Sequence, residues 1–297
     1  MTTRTVTYFS EGHVIAATLF TPAGMVADRK YPTVAICQGF TGIRNLPVID
    51  LMGNALNEAG FVALSFDYRG YGDSGGERGR MAPLEQVDDI RNSITFLETL
   101  EFVDAERIGL VGISYGCLTA PHAAAIDKRV KATLGCLGVA TGYRAVTNVR
   151  TPAEMAEWEA NVAAARRRRV LFNEVDRTVR CPDVFVDSQS LAALPLVWEG
   201  SPIWRNPMGF DSIGRVMDHR PIDFVHRIAP RALGLLCAAN DTCADPTSLR
   251  ELFDAAQEPK RWISVEDVGH FELYQGEKFE RFKAEITGFF NEFLAVS

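Results

Sequence analysis

Six stretches are apolar, or nearly so, without strict alternation: YPTVAICQGF (31–40), FVALSFD (61–67), RIGLVGIS (107–114), VKATLGCLG (130–138), RALGLLCAAN (231–240) and RWISVEDVG (261–269). Runs of this kind read as strands buried on both faces. Between them the spacing changes to that of helices. Leu84, Val87, Ile90, Ile94 and Leu97 recur along one helical face, and further helices are expected near 47–59, 115–127, 247–257 and 277–294. Apolar strands alternating with helices imply an α/β fold, a mainly parallel sheet with helices on both faces. Residues 5–20, TVTYFSEGHVIAATLF, add a hairpin around Glu11-Gly12.

The rhythm breaks between 143 and 220. PAEMAEWEANVAAARRRRVLF has helical character, after which Pro182, Pro195, Pro202 and Pro207 interrupt the periodicity. The expected organisation is a core of 1–142 and 221–297 with a helical cap or lid inserted at 143–220. An outrigger without a catalytic role is the alternative. Trp158, Trp198, Trp204, Phe172 and Phe185 either line an apolar pocket or form ordinary cap core.

Charge narrows the partners. The balance of 31 basic and 38 acidic residues gives −7, which disfavours nucleic acid. Arg166–Arg169 sits among acidic neighbours and reads as a solvated helix face. No membrane span and no basic lead-in with a signal-type apolar run are found. The six cysteines include no CxxC pair, so a reduced, cytoplasmic chain without a cysteine-built metal site is expected. No cofactor or metal is implied. The expected partner is a small-molecule acyl substrate, and a homodimer is left open.

Two serines are framed by glycines. Gly72-Asp73-Ser74-Gly75-Gly76 matches the pentapeptide around the nucleophile of trypsin-like proteases. Those enzymes are all-β, and base and acid precede the serine. Only His13 precedes Ser74, on an edge hairpin, so this loop is read as one needing positive φ. Gly112-Ile113-Ser114-Tyr115-Gly116 instead follows a strand and opens a helix. A serine on that turn is lifted above the carboxyl edge of the sheet, with the Tyr115 amide at a helix N-terminus able to donate to an oxyanion.

A serine hydroxyl needs an oriented base, and in this setting acid and histidine follow it in the chain. His122 lies within the helix that Ser114 starts, and His219 and His226 are read as surface or capping residues. His270 directly follows the last strand and is the expected base. Asp241, just past its strand, is the expected acid; Asp245, beside Pro246, is the fallback and more naturally a helix cap. In Gln38-Gly39-Phe40-Thr41-Gly42, the amide of Phe40 is the expected second oxyanion donor.

QGFTG, FDYRGYGDSGG, GISYG, AAND and GHFELY stand in the order and spacing of an α/β-hydrolase, and the resemblance covers nearly the whole chain. The C-terminal third is similar to the dienelactone-hydrolase-like and fungal polyketide-transferase-like subgroup. The resemblance implies an eight-stranded sheet, a Ser114–His270–Asp241 triad and an ester intermediate on Ser114. Two departures stand out: Gln38-Gly39 where many relatives carry His-Gly, and Pro246 five residues after the aspartate instead of four. The expected activity is hydrolysis of a carboxylic ester, thioester or lactone. The rivals are acyl transfer, including passage of a polyketide-like chain, and ligand binding on a hydrolase scaffold.

Overall fold

The computed structural model describes residues 2–199 and 207–294, with the side chains of all of them except 196–199. Eight strands form one sheet: β1 (Thr2–Ser10), β2 (His13–Thr21), β3 (Tyr31–Cys37), β4 (Val62–Phe66), β5 (Val103–Ile113), β6 (Val130–Cys136), β7 (Ala232–Ala238) and β8 (Lys260–Val265). Their order across the sheet is β1-β2-β4-β3-β5-β6-β7-β8. The hairpin β1–β2 joins β4 antiparallel, and every pairing from β4 to β8 is parallel. This is the mainly parallel sheet expected from the apolar runs, with the eight strands that the α/β-hydrolase resemblance implies. β5 starts earlier than its run because Val103 pairs with Tyr31 ahead of a register shift.

The helices of the core are α1 (Pro47–Glu58), α2 (Pro83–Glu98), α3 (Gly116–Ile126), α9 (Pro246–Ala255) and α10 (Gly276–Leu294). Alternate residues of one strand feed opposite faces. Val34 and Ile36 pack with Ile49, Met52, Phe282 and Phe289 of α1 and α10, whereas Ala35 and Cys37 pack with Ile90, Leu118 and Leu249 of α2, α3 and α9. Helix α3 is apolar all round and almost wholly buried. The chain leaves β3 in one direction and returns over it to β5, so the sheet changes winding sense between those strands. Ligands of open α/β sheets bind at such a switch point, outside the carboxyl ends of the strands.

Segment 143–220 carries α5 (Pro152–Phe172), α6 (Cys181–Val184), α7 (Ser188–Glu199) and α8 (Phe210–Met217), with the short α4 (Gly142–Thr147) leading into it. Thr151 and Glu154 form a capping box that starts α5. Asp187 caps the first turn of α7 by accepting from the amides of Gln189 and Ser190. The sequence reading had Pro195 break the periodicity, but α7 runs through it. Leu194 beside it is buried in the core, and that packing outweighs the lost backbone bond. Pro202 and Trp204 lie outside the described residues, as does the side chain of Trp198.

Salt bridges tie the segment to the core. Arg166, Arg167 and Arg168 are exposed, as expected of a solvated face. Arg169 departs from that reading: with Arg177 it binds Glu77 at 2.6–2.9 Å, linking α5 to the loop before α2. The paired guanidiniums, Arg169 first, hold the Glu77 carboxyl down at about 2. Among the described residues, no helix is long and apolar enough to cross a membrane.

Candidate active site

The loops after β3, β5, β7 and β8 meet above the switch point. Ser114, directly after β5, has φ 54°, a left-handed conformation that a side-chain-bearing residue adopts only when its surroundings impose it. The flanking glycines show what imposes it. A Cβ on Gly112 would lie 2.1 Å from the carbonyl oxygen of Gly116, and one on Gly116 would lie 2.2 Å from that of Cys37. Only bare backbone lets strand, turn and helix approach this closely.

His270 lies in the loop after β8, with its ring buried. Its Nδ1 is 2.8 Å from Asp241 Oδ2, and its Nε2 is 3.1 Å from Ser114 Oγ. A carboxylate only accepts hydrogen bonds, so Nδ1 carries the proton and the lone pair of Nε2 faces the serine. Asp241 is fixed in turn, because its Oδ1 accepts from the amides of Cys243 at 2.9 Å and Ala244 at 2.7 Å. Asp245 instead binds the amide and hydroxyl of Thr247 and caps α9. The extra residue before Pro246 therefore lengthens the turn without displacing Asp241.

The amides of Phe40 and Tyr115 make no hydrogen bond among the described residues. Their rings pack edge to face, 5.6 Å apart. Gly39 brings the first of these loops against the second, since a Cβ there would lie 3.2 Å from Ser114 Cβ. Gln38 is buried and donates to Ser65 Oγ at 2.9 Å, anchoring the loop to β4.

The other singled-out residues lie elsewhere or act otherwise. Ser74 is buried, donates to the carbonyl of Asp67 at 2.6 Å and accepts from the amide of Ala16. The loop around it wraps the Asp67 carboxylate, which leaves no room for a Cβ at Gly72, φ 49°. His13 and His226 are exposed. His219, read as a surface or capping residue, is instead buried. Its Nε2 is 2.9 Å from Nδ1 of His122, and Phe224 stacks on His122. Burial, then the neighbouring imidazole, push His219 down to about 3, and burial lowers His122 as well. No signal in a lone His-Arg-Pro stretch reveals that pairing.

A cavity of about 340 Å³ opens beside Ser114. Phe40, Leu46, Ile49, Phe185, Leu194 and Phe271 give it an apolar wall, and among the described residues no Lys, Arg, Asp or Glu lines it. Phe185 thus takes the pocket position considered for the segment's aromatics. Trp158 does not: it packs on Phe210 under the Arg150 guanidinium. Phe172 is exposed to solvent at the end of α5. Cys181 and Cys243 also reach the cavity, but burial pushes Cys181 up to about 12 and Cys243 well above the ordinary thiol range. Both are neutral thiols and poor nucleophiles.

Two residues of the site escaped the sequence reading. Gln189, on α7, accepts from the amide of His270 at 2.9 Å and from that of Thr242 at 3.3 Å, and donates to the carbonyl of Asn240 at 2.6 Å. It joins the loops that carry the histidine and the aspartate. Tyr274, one 3₁₀ turn past His270, brings its hydroxyl to 3.1 Å from Nε2.

Residues 40–282 match the model of the alpha/beta hydrolase family. The chain belongs to that family. Its relatives include an uncharacterised 31.7 kDa protein from the traX-finO intergenic region of Escherichia coli, 33% identical over 96% of this chain and 97% of that one. A thiohydrolase of Eupenicillium brefeldianum is 27% identical over 89% and 87%. A polyketide transferase of Stachybotrys chlorohalonatus is 25% identical over 92% and 91%. These last two agree with the subgroup resemblance read from the C-terminal third. Among solved structures, the alpha/beta hydrolase GrgF from Penicillium superposes with a TM-score of 0.84 at 20% identity, over the full length of both chains. That likeness is one of fold.

Proposed function

We propose that this alpha/beta hydrolase cleaves a neutral carboxylic ester, thioester or lactone through an acyl-enzyme on Ser114. The observation that carries the reading is the unbroken line of hydrogen bonds from Asp241 through His270 to Ser114, opening onto a cavity whose described lining is apolar and uncharged. His270 Nε2 takes the serine proton as Oγ attacks the acyl carbon. The amides of Phe40 and Tyr115 stabilise the oxyanion, each such donor being worth about 3–4 kcal/mol in a transition state. The imidazolium supplies the proton that the leaving group needs. Water then enters, gives its proton to His270 and releases the acid, while Asp241 keeps the productive tautomer throughout. The thiohydrolase relative favours a thioester among the three bond types.

Segment 143–220 acts in this reading as a cap. Cys181, Phe185 and Leu194 wall the cavity, and Gln189 grips the loops that hold the base and the acid. A cap of this kind excludes water and strengthens the electrostatics beneath it. The six buried, unpaired cysteines suit a reducing compartment such as the cytoplasm.

The polyketide transferase relative favours a second reading, in which an alcohol or amine takes the acyl group in place of water. One experiment addresses both. A fluorophosphonate should modify Ser114, seen by peptide mapping, and Ser114→Ala should abolish turnover of acyl thioesters. Product analysis with added acceptors then apportions hydrolysis and transfer. An unmodified Ser114 would favour a ligand-binding protein on this scaffold.

A further inference from the structure

In the site built above, Nε2 of His270 has two hydroxyl neighbours at the same distance, Ser114 Oγ and Tyr274 Oη, each 3.1 Å away. A neutral imidazole nitrogen offers one lone pair in the ring plane, so it cannot accept fully from both. Tyr274 follows His270 by a single 3₁₀ turn, and its ring packs edge to face on both His270 and Phe271. That packing leaves the phenol little freedom to turn away. Tyr274 and His270 both line the cavity, so the residue whose hydroxyl meets Nε2 also borders the space that a substrate enters. The group keeps its proton: burial first, then the charge of Asp241, hold it well above the ordinary tyrosine range.

We propose that Tyr274 is a catalytic residue, a proton relay from His270 to the leaving group of the substrate. The proposal rests on the acyl-enzyme reading. In acylation the Ser114 proton passes to Nε2, the Oγ–C bond forms, and the bond from carbon to the leaving oxygen breaks. As it breaks, the Nε2 proton moves to the phenol oxygen while the phenol proton moves to the leaving oxygen. The two transfers are concerted, because neither a phenoxide nor a doubly protonated phenol is stable there. Tyrosine and histidine end neutral, and the proton count is unchanged. In deacylation the leaving atom is Ser114 Oγ itself, which Nε2 reaches directly, so the relay is specific to the first half-reaction.

This specificity makes a sharp test. The variant Tyr274→Phe keeps the packing and loses only the hydroxyl. Its kcat/KM, which reports acylation, is compared on ethyl octanoate and 4-nitrophenyl octanoate, which share an acyl group. An ethoxide must be protonated as it leaves, whereas 4-nitrophenolate departs unaided. The relay predicts a loss of about 10²-fold or more on the ethyl ester, with the nitrophenyl ester changed less than about threefold. Equal losses on both esters, or no loss on either, overturn the relay and leave Tyr274 a structural neighbour. Should Tyr274→Phe not fold, 3-fluorotyrosine at 274 supplies the same shape with a more acidic phenol. It must then alter the ethyl ester rate alone, and an equal change on both esters overturns the proposal. Ser114→Ala run in parallel separates the two claims: if it retains turnover, the acyl-enzyme reading falls and the relay with it.

Discussion

Two aspartates compete for the role of acid, and the structure gives them different tasks that one pair of substitutions separates. In Asp241→Asn the new amide has a forced orientation. The amides of Cys243 and Ala244 both donate to the Oδ1 position, so oxygen must occupy it. The NH₂ group then faces His270 Nδ1 at the 2.8 Å contact and donates to it. The imidazole proton is driven to Nε2, where it points at Ser114 and can no longer accept the serine proton. Shape and burial are preserved while the base is disabled. The expected loss in kcat is about 10⁴-fold, the effect of a wrong tautomer in such a site, or about 5 kcal/mol of transition-state stabilisation. Asp245→Asn instead exchanges one good N-cap for another at α9, so activity should remain within about twofold and stability within a few tenths of a kcal/mol. Steady-state hydrolysis of an acyl thioester, with urea unfolding on both variants, reads the two outcomes. Near wild-type kcat in Asp241→Asn, or a collapse in Asp245→Asn, would refute the assignment.

Three further outcomes follow from named contacts. Gln189→Ala removes the bridge between His270, Asn240 and Thr242, and should lower kcat about tenfold with little change in KM, because the reacting groups lose alignment; unchanged kcat in steady-state assays would remove Gln189 from the site. Gly116→Ala places a methyl 2.2 Å from the Cys37 carbonyl oxygen, and backbone cannot yield cheaply, so urea unfolding should show about 1–3 kcal/mol of destabilisation. His219 is held neutral when folded, with its value lowered from 6.5 to about 3, so the unfolded chain binds the extra proton between those limits. Its contribution is whole above pH 6.5 and is lost as pH falls toward 3, at up to about 1.4 kcal/mol per pH unit. Urea unfolding from pH 6.5 to 5 should show that slope, and His219→Gln should flatten it.

Much of this fold is legible in the chain because buried parallel strands must be apolar on both faces. Each of the six apolar runs overlaps a strand of the sheet, and the change of spacing at Leu84–Leu97 marks α2. That Ser114, Asp241 and His270 converge is legible for a related reason: each follows a strand, and strand ends in such a sheet share one rim. What remained hidden depends on contacts without periodicity. Gln189 reaches His270 across 81 residues through a loop and a helix cap, and nothing near position 189 signals it. Tyr274 stood in plain view in GHFELY, but a spacing of four matters only once the segment is seen as a tight 3₁₀ turn. His219 was misjudged because its partner His122 sits on a helix that is buried all round. The described aromatics of segment 143–220 divide between cavity, core and solvent according to helix orientation, which composition does not encode.

The proposed acyl transfer to the hydroxyl of Ser114 can be tested directly. The enzyme is mixed with an octanoyl thioester, quenched in acid within the first turnovers and digested, and its peptides are weighed. The account predicts an octanoyl group on the peptide containing Ser114, absent from Ser114→Ala and persisting far longer in Asp241→Asn. Octanoyl found instead on Cys181 or Cys243, or no covalent adduct while turnover proceeds, would contradict it.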